Sequence, residues 1–201
     1  MNFIKNFSGI IACFVVVISS LVCTTLAPDV IEEKDYVLSY FGKESQTQFI
    51  FNFSLILAGL FLMIFLNYLR VKLEISYSKV VLFSPAIFFM LVGVFSLDVN
   101  SFLHTLCFIA FIFSWFVNVI LISKFVRKKI YASFLSGTSF SAYIILSTLF
   151  LADVRFWIWA EFVLGSFVLF QILILTDYVI FLKEKRFSFK KVLKYEKKLF
   201  G

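Results

Sequence analysis

Asn52, His104 and Glu161 are the residues of this 201-residue chain that bring hydrogen-bonding and proton-exchanging chemistry into otherwise apolar stretches. An asparagine amide offers two donors and an acceptor, while histidine and glutamate exchange protons. Each lies a few residues inside a hydrophobic run, on the side where that run meets a polar connection. Two of those connections carry further candidates: Ser39 and Gly42 in Ser39-Tyr40-Phe41-Gly42, and Asp98 in Asp98-Val99-Asn100-Ser101. Together these residues outline a polar cluster at one shallow depth, suited to holding a polar headgroup or to moving a proton. Ser39, His104 and Asp98 also supply the residue types of a nucleophile, a base and an orienting acid, although no spacing requires the three to meet. The competing account uses the same residues for hydrogen bonds between helices, with Trp157 and Trp159 as interfacial anchors.

The elements that must position these side chains are read from hydrophobicity. The chain is 62% hydrophobic and only 15% charged, against roughly 25% charged in a soluble domain. Its apolar residues fall into six runs, Gly9–Ala27, Phe49–Tyr68, Val80–Leu97, Phe102–Ser123, Tyr131–Leu151 and Phe156–Leu182. A helix that crosses a bilayer needs about 20 such residues. The expected fold is therefore all-α, an integral membrane bundle of six transmembrane helices spanning residues 1–182. A basic tail follows at residues 183–201. Lys and Arg collect in cytoplasmic loops, and a cytoplasmic N-terminus places sixteen of the nineteen basic residues inside. Both termini are then expected to be cytoplasmic, with Asn52, His104 and Glu161 on the outer side. The first run has the look of a signal peptide, with Lys5 before it and Pro28 after it, but its apolar core is long and an even number of helices suits the basic tail. It is expected to be retained.

Other features have structural explanations. Thirty phenylalanines suit a lipid-soluble vocabulary, and the net charge of +7 follows from topology rather than from nucleic-acid binding. Cys13, Cys23 and Cys107 all lie in apolar runs, which argues for small buried side chains rather than a disulfide framework or a metal centre. The chain lacks phosphate-loop, dinucleotide, zinc-protease and nucleophile-elbow motifs, and no cofactor or metal is expected. Toward the cytoplasmic half lie Asn118, Gln171 and Asp177. The stripe His104, Phe108, Phe111, Trp115, Asn118 has the spacing of a packed helix face. Gly59 suits close helix packing, as do Ser133, Gly137 and Ser141 at four-residue intervals. Pro85 removes one backbone hydrogen bond and can bend its helix. The tail, rich in lysine with apolar residues on one helical face, suits contact with an anionic leaflet.

Three stretches carry a resemblance. "DYVLSYFG…TQFIFNFSLILAGLF", "GVFSLDVNSFLH…AFIF" and "WIWAEFVLG" resemble a prokaryotic six-helix membrane family, that of domain of unknown function 998, itself distantly similar to DRAM-type membrane proteins. In that family a Ser-x-x-Gly loop precedes a Phe-Asn at the start of helix two, and an acidic residue and a histidine flank the start of helix four. The resemblance implies Ser39, Gly42, Asn52, Asp98 and His104 as the corresponding positions, with Glu161 a weaker match. It implies residence in a prokaryotic cytoplasmic membrane and brings no established activity; the distant relatives are associated with lipid handling. The function expected first is binding of a lipid or amphiphile in an outward-facing polar pocket. An enzyme acting on an outer-leaflet lipid, with His104 as acid and base, is the second expectation, and a small transporter or channel the third. Membrane lipids are the expected partners, and the oligomeric state is not legible.

Overall fold

The computed structural model describes residues 2–32, 38–151 and 165–182. Glu161, Trp157, Trp159 and the basic tail lie outside them. Every regular element among the described residues is helical. Helix α1 spans Asn2–Leu26 and is followed by the single turn α2, Asp29–Glu32, and by a 3-10 turn at Leu38–Gly42. The long helices α3 (Gln48–Leu73), α4 (Lys79–Val94), α5 (Leu97–Ser123) and α6 (Lys129–Leu151) come next, and α7 occupies Gly165–Leu182. Helices α1, α3, α5 and α7 are each long and apolar enough to cross a membrane. At about 1.5 Å per residue, the 26 residues of α3 exceed a hydrocarbon core of about 30 Å.

Local chemistry sets the helix boundaries. Helix α3 stops where Glu74 takes a left-handed conformation, φ 56°, and its N–H returns to the Arg70 carbonyl. Helix α4 begins at Ser78, whose hydroxyl accepts from the Val80 N–H. Inside α5, Asn100 leaves the helical region (φ −163°, ψ 98°), and its Oδ1 accepts the Leu103 N–H at 3.0 Å. That is N-cap geometry. It makes Leu97–Val99 a preliminary turn and starts the main helix within two residues of the apolar run.

Successive long helices pack side by side: α1 on α3, α3 on α4, α4 on α5 and α5 on α6. The α3–α4 seam is held close by two glycines, as Gly59 foretold. A Cβ on Gly59 would lie 2.4 Å from Met90 Cγ and 3.0 Å from the Ala86 carbonyl oxygen. A Cβ on Gly93 would lie 2.6 Å from the Asn52 carbonyl oxygen. Only glycine lets these antiparallel backbones approach so nearly. The main core includes Leu66, Leu69, Trp115, Phe116 and Leu175, all fully buried. A second, smaller cluster lies at the His104 end: Cys23, Phe41, Phe51, Leu55, Val92 and Cys107.

Among the described residues, the small-residue stripe of α6 meets no partner helix. Ser133, Gly137 and Ser141 are exposed, and a Cβ on Gly137 would find no described atom within 4 Å. The buried face is instead Leu135, Ser139 and Ala142. The reason is a polar one: Gln171 of α7 reaches Thr138 and Ser139, and this contact selects the face that turns inward.

Candidate functional site

The His104 end is built around the turn Leu38–Gly42. Phe41 is only 1% exposed although it stands on a five-residue 3-10 turn within a connection. Its ring enters the small cluster between α1, α3, α4 and α5, with the Phe51 ring centroid 6.1 Å away. Two side chains of the following segment fasten the turn by its carbonyls. The Thr47 hydroxyl donates to the Phe41 carbonyl at 2.7 Å, and the Asn52 amide Nδ2 donates to the Gly42 carbonyl at 3.1 Å. Asn52 thus gains its polar partner from the loop that precedes its own helix.

Gly42 and Asn52 are matched to one another. A Cβ on residue 42 would lie 2.6 Å from Asn52 Oδ1, so only the glycine hydrogen fits there. Oδ1 is buried and has no hydrogen-bond partner. The glycine C–H directed at it is a weak donor, which leaves most of the oxygen's accepting capacity unused. Thr47 was not singled out from the sequence. It sits at the N-cap of α3 but makes no capping bond there, having given its hydroxyl to the turn instead.

His104 is 4% exposed. Its Nδ1 faces two carbonyl oxygens, Phe95 at 2.9 Å and Val92 at 3.1 Å. A ring nitrogen between two acceptors carries the hydrogen, so the ring binds α4 where that helix runs out of its own N–H donors. The carbonyls of Val92 and Phe95 occupy the nitrogen that an orienting carboxylate would need in a triad. Asp98 is exposed on the preliminary turn of α5, and Ser39 is half-buried on the 3-10 turn. The structure therefore brings Gly42 and Asn52 into contact and gives His104 separate partners. Glu161 falls outside the described residues. The end of α4 is what the two share: Gly93 touches the Asn52 backbone, while its neighbour Val92 accepts from His104.

Asn118 and Gln171 each centre a saturated network, while the buried Thr176 hydroxyl of α7, like Asn52 Oδ1, has no partner. Asn118, 1% exposed, accepts from the Tyr77 hydroxyl at 3.0 Å and donates to the carbonyls of Val81 at 2.7 Å and Ser114 at 2.9 Å. Val81 is four residues before Pro85, and proline has no N–H to give that carbonyl. Asn118 supplies the missing donor, joined by the Ser84 hydroxyl at 2.8 Å. Burial raises the pKa of the Tyr77 phenol, which stays a donor. In the second network the fully buried Gln171 accepts from the Trp115 indole at 2.8 Å and donates to Thr138 and Ser139 at 2.9 and 3.0 Å. This joins α5, α6 and α7 through one side chain. Asp177 accepts from the Tyr131 hydroxyl at 2.6 Å.

Comparison with protein-family models, with curated proteins and with solved structures finds no match to this chain.

Proposed function

We propose that this is a six-span membrane protein with both termini in the cytoplasm, and that its outer end binds a lipid or amphiphile. The count of six follows from the apolar runs, and the orientation from the basic residues, sixteen of nineteen of which then lie inside. Membership of the six-helix family of domain of unknown function 998, and residence in a prokaryotic cytoplasmic membrane, rest on the motif order around Ser39, Gly42, Asn52, Asp98 and His104.

The observation that carries the binding reading is the unequal satisfaction of the polar groups. Asn118 and Gln171 have their acceptors and donors filled by protein. Asn52, at the rim of an apolar cluster, keeps a buried acceptor without a partner. A polar atom beside apolar walls at headgroup depth is what an amphiphile recognises. The saturated networks leave little free polar surface for a path across the bundle, and His104 is tied to α4 through Nδ1; both features favour binding over transport or acid-base catalysis. Mass spectrometry of lipids retained by the purified protein tests this. A lipid class held by the wild type and depleted in Asn52→Ala supports it; identical lipid content in both removes it. Orientation is checked with single cysteines in a cysteine-free background. Asp98→Cys should react with an impermeant thiol reagent from outside the cell and Lys124→Cys should not.

A further inference from the structure

We infer that the berth filled by Phe41 is an acyl-chain site and that the turn Leu38–Gly42 is a displaceable plug standing in it. The inference rests on the lipid-binding reading above and says where the chain would lie and what must move. The berth has Cys23, Phe51, Leu55, Val92 and Cys107, drawn from four helices, as its apolar walls. Its occupant comes from the connection between α1 and α3, not from a fifth long helix. The cluster is distinct from the main core, although Val16, Phe89 and Phe108 pack against both, so withdrawing Phe41 opens the end of the bundle more than its middle.

The fastening is equally local. Two side-chain hydrogen bonds, from Thr47 and Asn52, hold the Phe41 and Gly42 carbonyls. Released at headgroup depth, those carbonyls find water. A methylene chain entering the berth restores the apolar contacts of the phenyl ring. The freed Thr47 hydroxyl and Asn52 Nδ2 then donate to an ester or phosphate oxygen, and Oδ1, without a partner in the plugged state, accepts from a head hydroxyl. The ligand class that meets all of this is an amphiphile with one acyl chain to insert and a head bearing both acceptor oxygens and a hydroxyl. A lysophospholipid is the simplest example.

The test uses the full chain in phosphatidylcholine nanodiscs, with a lysophosphatidylcholine carrying a photoreactive group at the end of its acyl chain. Adducts are mapped by peptide mass spectrometry. Phe41→Ala should raise labelling of the segments around Cys23 and Cys107 by about five-fold or more, and Phe41→Trp, which fills the berth further, should lower it below wild type. Alkylation of Cys23 and Cys107 by a membrane-permeant maleimide should rise in Phe41→Ala and fall again when the lysolipid is added. If Phe41→Ala does not fold, Phe41→Leu and Gly42→Ala carry the same expectations, the latter because its Cβ would push Asn52 away from the turn. Labelling of the outer end that ignores every change at residue 41 or 42 overturns the plug and leaves lipid binding standing. Absence of adducts at the outer end in all variants overturns both.

Discussion

Asn52 and Asn118 are the same residue type in the same bundle, and their surroundings could hardly differ more. Asn118 is buried with three hydrogen bonds, one of them to the carbonyl that Pro85 leaves without a donor. Asn52 is half-buried, makes one hydrogen bond to a loop carbonyl, and has an unpartnered oxygen. An amide buried among helices is saturated by protein, because nothing else there can complete it. The Asn52 oxygen is buried as well, yet beside the loop turn it keeps spare accepting capacity. Saturation, rather than polarity, is what distinguishes these two amides.

The comparison breaks most visibly if the saturated end is disturbed. Gln171→Leu strands the buried Trp115 indole N–H, while Thr138 and Ser139 keep their bonds to the carbonyls of α6. Leaving one buried donor unpaired costs about 1–3 kcal/mol, which a shift in the unfolding midpoint in mixed micelles should report. Adding Trp115→Phe removes the stranded donor and should return part of the loss. If Gln171→Leu is as stable as wild type, the network is not holding α5, α6 and α7 together.

Somewhat smaller is the coupling between Asn118 and Pro85. Asn118→Leu removes one of the two donors that replace the missing amide at Val81, leaving the Ser84 hydroxyl, and Pro85→Ala gives the helix its own amide back. In a double-mutant cycle the cost of Asn118→Leu should fall by about 1 kcal/mol when residue 85 is alanine, within the range for contacting polar groups. Strict additivity would mean that Asn118 acts through Tyr77 and Ser114 alone.

At the rim, Gly42→Ala places a Cβ 2.6 Å from Asn52 Oδ1. The expected loss is about 1 kcal/mol, at the low end for overpacking, because the Asn52 side chain can swing away. Removing the obstacle with Asn52→Ala should make the alanine at 42 nearly neutral. A penalty that persists in the double mutant would place the constraint in the turn backbone instead of the Gly42–Asn52 contact.

These contrasts also show where sequence reasoning reaches its limit. The helices were legible because each apolar run needs its backbone hydrogen bonds satisfied internally, and Gly59 was legible as a packing glycine. The burial of His104, Phe111, Trp115 and Asn118 followed from their shared spacing on α5. Partners were another matter. Pro85 announces an orphaned carbonyl at Val81, but which donor comes from another helix depends on packing that no local pattern encodes. The inward face of α6 was misread because Ser and Thr surround that helix at 133, 136, 138, 139 and 141, so four-residue spacing could not choose among its faces. Thr47 drew no notice in the sequence, and it stands at the N-cap position of α3 as a fastener for a turn. The pairing of Asn52 with Gly42 lay hidden for a similar reason: hydrophobic periodicity gives the orientation of a helix and says nothing about a loop folding back upon it.

The smallest expected effect concerns Asn52 and His104 themselves. Their hydrogen bonds go to different places, one to Gly42 and the other to Val92 and Phe95, so neither removes a partner from the other. Asn52→Ala releases the turn, and His104→Ala releases the end of α4. In a double-mutant cycle on stability the two losses should add to within about 0.5 kcal/mol, as they do for groups with no shared partner. The route by which they could couple is short, since Gly93 rests on the Asn52 backbone and Val92 accepts from His104. A coupling near 1 kcal/mol or more would show that the end of α4 transmits one change to the other. The turn and the histidine would then be one device, and release of Phe41 would be felt at the imidazole. Repeating the cycle with saturating lysolipid sharpens the distinction. A ligand that displaces the turn has already broken the Asn52–Gly42 bond, so the stability lost on Asn52→Ala should change while the loss on His104→Ala stays the same.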